Sequence, residues 1–385
     1  MRRYLFKRIF QNILTFLLFL TAVYLLLDAV PGDFGDLYLS DPRLTPQERQ
    51  TLRARLGLDK PVLERYGIWL KNFAQGDLGI SFSNYPRKVL DVIVERAPRT
   101  ILLFLSSTIV SYYVGFLLGK VLAWRRGGSL EYVTTIAGIG LYTVFLPWFA
   151  LMMVWLFAFT MKLFPIGKFL DPVLWRQAPA DIDANYVFHR MLLTAIIGSL
   201  ILFVWLFFAR RLNPAQRRPA SWLGLIVVLT GIFVYWNSSG VGRYALDILH
   251  HLILPILTLT VVNFAGVMLL TRNSMLETLR EDYIMAARAK GLRESVIRDK
   301  HAARNAMLPV ATSFILALAF VLDGGVITEY TFSWPGMGLT LLTAAQTQDI
   351  PMVIGALVFT GLLALTGHLV ADILYAFLDP RIRYS

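Results

Sequence analysis

The chain has 385 residues, 56% of them hydrophobic and 16% charged, with a net charge of +12. Soluble domains average about 45–50% apolar and about 25% charged, so the composition excludes an ordinary soluble domain and indicates a polytopic membrane protein. The absence of cysteine excludes disulfides, thiolate metal sites and cysteine nucleophiles, and the basic balance suits Lys- and Arg-rich cytoplasmic loops better than a nucleic-acid surface.

Residues 1–30 read as a first membrane helix. A basic start, Met1–Arg8, precedes an apolar run over about Ile9–Val30. That run is too long for a signal peptide, and no small-residue cleavage site precedes Pro31 and Gly32. The basic start places the N-terminus in the cytoplasm. Residues 31–98 are polar, helix-forming and nearly balanced in charge, which suits an external region. Thr45, Pro46, Gln47 and Glu48 form a capping box with Pro at the first helical position. Asp59, Lys60 and Pro61 open a second short helix, with Leu63, Tyr66 and Leu70 along one side.

Residues 99–167 hold a second span, about Thr100–Trp124, and a third, about Tyr132–Leu163. Hydroxyls on the second span either line a pathway or hydrogen-bond a neighbouring helix. Packing is the expected role for most of them, with Ser107 and Ser111 as possible pathway residues. Gly115 and Gly119, four residues apart, permit close helix contact. Arg125 and Arg126 make a short basic turn. The third span exceeds the roughly 20 residues needed to cross. A kink at Pro147 or a tilt absorbs the excess.

Residues 168–247 contain two further apolar runs, about Leu192–Phe208 and Trp222–Trp236. The loop between them, Arg210–Arg218, has four arginines and no acid, so it is expected in the cytoplasm. This segment reads as an inserted two-span hairpin packed towards lipid, with lining of the substrate path as the other reading. Residues 248–385 follow with a sixth span at about Leu252–Leu270 and a charged loop over 272–306. The seventh span is about Val310–Leu322, with Asp323, Gly324 and Gly325 at its outer end. Residues 326–350 form the last external loop, with a turn at Trp334, Pro335 and Gly336. The last span is about Met352–Phe377, and Asp372 within it is expected to pair with a nearby arginine. Asn263 in the sixth span is a third possible pathway residue. His250 and His251 are adjacent and point to different sides of a helix, so they share no metal. Eight spans bring every basic cluster to one side of the membrane.

No nucleotide-binding loop, Gly-x-Ser-x-Gly elbow or metal-spaced His cluster occurs, which argues against a membrane enzyme. A secondary transporter calls for midplane charges and internal repeats, and the sequence offers neither. What is left is a pathway subunit driven by something else.

The charged loop between the sixth and seventh spans reads DYIMAARAKGLRESVIRDKHAARNAMLP, Asp282–Pro309. Such charges cannot sit in lipid. Its centre, Ala286–Gly291, has little side-chain bulk, and Gly291 permits a sharp turn. A small helix face rimmed by Arg288, Lys290 and Arg293 suits a pocket on a partner protein; an ordinary solvated loop is the other reading of the same residues. The pattern DYxxAARAKGL followed by HxxRNAxLP resembles the coupling loop of bacterial ABC-importer permeases in the dipeptide/oligopeptide/nickel branch. It rests on Tyr283, Ala286–Gly291, His301, Arg304, Asn305 and Pro309. Leu56–Phe82 and the ending Asp379-Pro380-Arg381 are similar to the same branch. Met285 stands where the wider superfamily has Glu, a departure usual in the peptide branch.

The resemblance implies an all-α polytopic membrane protein, a type I ABC importer permease core of six family spans with the hairpin as an addition. It implies contact with an ATPase through Tyr283, Ala286, Ala287, Arg288, Ala289, Lys290, Gly291 and Leu292. Trp334, Pro335 and Gly336 resemble the family's last external loop, which reads either as a gate dipping back towards the pathway or as a plain external connector. The implied partners are a second homologous permease subunit, two ATP-binding subunits and an external solute-binding protein. ATP and Mg belong to the ATP-binding subunits, and no cofactor, metal or catalytic residue is expected in this chain. The implied location is the bacterial cytoplasmic (inner) membrane, with both termini in the cytoplasm. Di- or oligopeptides are the expected substrate, with a nickel chelate or a sugar as alternatives, and a secondary transporter further behind.

Overall fold

Lipid offers no hydrogen-bond partners, so a spanning segment must satisfy its backbone internally, and each apolar run of this sequence folds as helix. The computed structural model describes residues 2–29, 45–47, 50, 60–125, 127–320 and 325–378. The capping box at Thr45–Glu48, the turn residue Arg126, Asp323 with Gly324, and the ending Asp379–Arg383 lie wholly or partly outside the described residues. Among the described residues there is no β-strand, only an isolated bridge between Ile80 and Lys88.

In chain order the helices are α1 (Arg2–Asp28), α2 (Val62–Ala74), α3 (Val89–Trp124), α4 (Ser129–Tyr142) and α5 (Leu146–Met153), which runs on as a π-helical Val154–Thr160. Then come α6 (Pro172–Trp175), α7 (Ala184–Ala209), α8 (Pro214–Ser238) and α9 (Gly242–Thr278). The C-terminal part has α10 (Asp282–Ala289), α11 (Glu294–Val296), a π-helical turn Ile297–Ala302, α12 (Ala303–Phe320), α13 (Val326–Thr331), α14 (Met337–Gln346) and α15 (Ile350–Leu378).

Among the described residues six helices are long and apolar enough to cross a membrane, or seven if a bent pair counts as one crossing, against the eight expected. That pair is the expected third span. Instead of a kinked rod at Pro147, α4 and α5 meet at 107°. Pro147 sits in the first turn of α5, where its missing N–H costs nothing and its fixed φ starts a helix. The break therefore falls before the proline, at Thr143–Phe145. The expected seventh span at Val310–Leu322 corresponds to α12, whose described part ends at Phe320.

The chain divides into two compact units, residues 1–154 with 255–385, and residues 155–254. In the first, α2 lies on α1. Leu20 and Tyr24 of α1 meet Ile354 and Val358 of α15, and Tyr66, Trp69 and Phe73 of α2 pack on that cluster. Of the expected apolar side of α2, Tyr66 and Leu70 thus have a partner within the chain, whereas Leu63 is exposed. Val89, Val92, Ile93 and Ala97 of α3 pack against Met337 and Ala344 of α14 and Met352, Val353 and Ala356 of α15. Arg8 of α1 pairs with Asp372 of α15. The second unit is built on the α7–α8 hairpin and a cluster around Asp247. The Asp247 carboxylate accepts the Trp175 indole N–H at 2.8 Å and the Asp171 N–H at 3.0 Å.

Candidate functional site

Three short helical pieces after α9 share one small core of their own. Ile284 and Ala287 of α10, Ile297 and Ala302 of the π-helical turn, and Ala303 and Ala306 of α12 converge on Met275 of α9 and Ala123 of α3. Ile284 and Ala287 are three residues apart, so they share a face of α10 and turn the remaining residues outward. Tyr283, Met285, Ala286, Arg288, Ala289, Lys290, Gly291 and Leu292 are all exposed. Ala287 is the exception among the expected contact residues. It is buried in the seat, so it holds the helix in place and is not available to a partner. Leaving small residues on the outer face was legible in sequence; the division between Ala286 and Ala287 was not, because only the neighbouring elements decide which face is inner.

The end of α10 is fixed by backbone geometry. Gly291 has φ of 73°, the left-handed region. Its N–H donates to the Arg288 carbonyl at 2.9 Å, and the Leu292 N–H to the Ala287 carbonyl at 3.3 Å. This pair of bonds is a Schellman cap. A Cβ at Gly291 would meet nothing within 4 Å, so the glycine is required by its φ and not by lack of room.

Charged pairs brace the loop. Lys120 of α3 reaches Asp299 at 3.1 Å, and Arg298 donates to the same carboxylate. The Arg298 hydrogen bond and the Lys120 charge lower the Asp299 pKa to about 2, so it stays ionised at neutral pH. Arg272 at the end of α9 pairs with the buried Glu131 of α4. Asn305 donates to the Tyr283 hydroxyl at 2.7 Å, tying α10 to α12. Ser274 donates to the Ala306 carbonyl at 3.0 Å. Glu131, Asn305 and Ile284 were not singled out in sequence as supports of this loop, since each partner lies on another element.

A second knot forms where α13 and α14 meet the start of α3. Glu329 is fully buried. It accepts from the Thr100 hydroxyl at 2.7 Å and from the Leu339 N–H at 2.9 Å. Thr100 in turn accepts the Met337 N–H at 2.7 Å. Burial raises the Glu329 pKa to about 6, against the hydrogen bonds that favour its charge. Trp334 is also fully buried, its indole N–H donating to the Arg99 carbonyl at 3.1 Å, and Arg99 donates to the Pro335 carbonyl at 3.3 Å. A Cβ at Gly336 would lie 2.3 Å from a Glu329 oxygen, so only glycine fits there. Trp334, Pro335 and Gly336 are therefore part of a packed, hydrogen-bonded plug. Close by, Asp349 is buried and takes hydrogen bonds from the hydroxyls of Ser81 and Ser83.

The possible pathway residues separate. Ser107 and Ser111 are buried, and their hydroxyls donate to carbonyls of their own helix, at Phe104 and Ser107. They continue the small-residue row of Gly115 and Gly119, where α3 presses on α9. An added Cβ would stand 2.7 Å from the Phe264 carbonyl oxygen at Gly115 and 2.5 Å from that of Met268 at Gly119. The contact with α9 is shown at Gly115 and Gly119, whereas the two serines are buried and bonded within α3. Asn263 is exposed, with its amide donating to the Leu259 carbonyl at 2.9 Å. Among the described residues no group of acids and histidines could hold a metal ion.

Apolar helices long enough to cross a membrane, with a helical loop seated on its own core, define a polytopic membrane protein. Residues 218–384 match the family described as binding-protein-dependent transport system inner membrane component, and residues 1–104 match the N-terminal family of such membrane components. The chain is similar to the dipeptide transport system permease protein DppB of Escherichia coli, 30% identical over 100% of both chains. It is similar to the di/tripeptide transport system permease protein DppB of Pseudomonas aeruginosa, 30% identical over 94% of this chain and 93% of the relative. It is also 29% identical to the oligopeptide transport system permease protein AppB of Bacillus subtilis, over 100% of both chains. The chain belongs to the family of binding-protein-dependent transport system inner membrane components, and it is a multi-pass permease of that membrane.

Proposed function

We propose that this chain forms part of the translocation pathway of an ATP-driven importer for short peptides and receives its driving force through α10. The chain itself carries no catalytic step. ATP and Mg are bound by two separate ATP-binding subunits, and a second homologous permease completes the pathway. An external solute-binding protein delivers the substrate. The observation that carries this reading is the exposed small-residue face of α10, Ala286 and Ala289 beside Arg288 and Lys290, on a helix whose other face is locked by Ile284 and Ala287. A rigid seat lets a push on α10 pass to α3, α9 and α12 without being absorbed locally.

ATP binding closes the two ATP-binding subunits on each other, α10 moves with the groove that holds it, and the crossing helices turn from inward-open to outward-open. ATP drives the switch because it binds the two states with different affinity. Short peptides are the substrate proposed because the relatives named for dipeptide, di/tripeptide and oligopeptide transport match 94–100% of this chain.

The test is reconstitution with the ATP-binding subunits, the second permease and the binding protein. Uptake of a labelled dipeptide that needs all partners and ATP is the expected result. Ala286→Trp should weaken capture of the ATP-binding subunits by at least about tenfold, which is about 1.4 kcal/mol. Unchanged capture would remove α10 from the contact, and ATP-dependent uptake of a sugar but no peptide would replace the substrate.

A further inference from the structure

The α7–α8 hairpin concentrates positive charge at one end, and the permease reading gives that charge no task beyond topology. Arg210 and Arg211 leave α7, and Arg217 and Arg218 stand in the opening turns of α8. All four are exposed. From Asp183 to Asp247 the sequence contains no acid between the two, so the hairpin supplies no anion of its own. No ion pair to these four occurs among the described residues.

Depth follows from length. The nineteen residues Met191–Ala209 carry no charge. At about 1.5 Å per residue they span about 28 Å, close to the roughly 30 Å hydrocarbon core. Arg210 therefore emerges where the hydrocarbon gives way to headgroups. Aromatic residues mark the same level. Trp222 is exposed, and the Trp205 indole donates to the Ala220 carbonyl at 2.8 Å, so the turn is clamped. Arg211 lies 5.7 and 5.6 Å from the ring centres of Phe207 and Phe208, which hold its guanidinium at this depth. Within the apolar windows of both helices only 6% of residues are buried, leaving the hairpin open to lipid.

From this placement we infer that the Arg210–Arg218 turn is a binding site for the phosphate headgroups of anionic phospholipids. Four guanidiniums within nine residues, without internal acids, present paired donors to phosphate oxygens at headgroup depth. Topology alone requires only positive charge on one side. A site built on arginine adds paired donors to phosphate oxygens, where lysine offers only a point charge.

The experiment uses the full chain, purified in detergent and mixed with equal amounts of phosphatidylglycerol and phosphatidylcholine. Native mass spectrometry counts the lipids retained. The wild type should retain phosphatidylglycerol preferentially, and added salt should weaken the preference. A quadruple R210Q/R211Q/R217Q/R218Q variant should lose at least about tenfold of it. The quadruple Arg→Lys variant keeps the charge and should fall between the two. Because the chain has no cysteine, single introduced cysteines at either end of the hairpin report insertion and orientation in every variant. A wild type without preference, or a correctly inserted Gln variant with full preference, overturns the proposal. Equal retention by the Lys variant and the wild type overturns the part assigned to the guanidinium fork, since charge alone then suffices.

Discussion

At the scale of residues, two neighbouring alanines have opposite duties. Ala287 fills the seat under α10, whereas Ala286 faces out. Ala287→Trp should therefore lower the thermal stability of the chain, since overpacking a close-packed core costs about 1–3 kcal/mol. Ala286→Trp should leave the unfolding temperature unchanged and affect only capture of the ATP-binding subunits. Unfolding followed by tryptophan fluorescence in detergent separates the two. Gly291→Trp is a poor probe of docking, because it strains a residue with φ of 73° before any partner arrives.

Glu329 makes a prediction about pH. Its folded-state pKa of about 6 lies above the ordinary 4.5. The fold thus prefers the neutral acid. Its stabilising effect is complete below pH about 4.5 and is lost as pH rises through about 6. The difference amounts to about 2 kcal/mol at about 1.4 kcal/mol per pKa unit. The melting temperature should fall between pH 4.5 and pH 7 in the wild type, and Glu329→Gln should flatten that slope. A slope of equal size in the Gln variant would assign the dependence to other groups.

At the scale of elements, the contact of α3 with α9 is set by Gly115 and Gly119, with Ser107 and Ser111 extending the same row one helical turn at a time. Without a hydrophobic force between helices in lipid, close backbone approach and packing supply the attraction. Gly119→Leu should force α3 and α9 apart, since even a Cβ would come within 2.5 Å of the Met268 carbonyl oxygen. Loss of folded, monodisperse protein on size-exclusion chromatography is the expected outcome. Ser111→Ala in the same row removes a hydroxyl that is bonded only to its own helix in this structure, so it should leave transport and stability nearly unchanged. A strong transport defect in Ser111→Ala would return the residue to the pathway. Gly115 and Gly119 were readable as a contact from their spacing. The burial of the serines was not, because a hydroxyl on a membrane helix looks the same whether it faces water or a neighbour.

At the scale of the whole molecule, the proposed function gives this permease a loop moved by its partners and no motor of its own. The purified chain alone in vesicles should give no ATP-stimulated uptake, and uptake should appear only when both ATP-binding subunits and the second permease are added. ATP-stimulated uptake by the solitary chain would end the proposal.

The sequence alone determined the membrane class, the helical state of the apolar runs and the position of the charged loop, because hydrocarbon excludes charge and unpaired backbone wherever the chain folds. It also carried the family, through residues close together in the chain. The tertiary structure decided what depends on a second element: that α4 and α5 break at 107°, that Ala287 faces inward, that Glu329 is sealed against Thr100, and that Trp334 is anchored by Arg99. The last three turn on neighbours tens to hundreds of residues away. Local pattern records which face of a helix is small or apolar, and only packing records what that face meets.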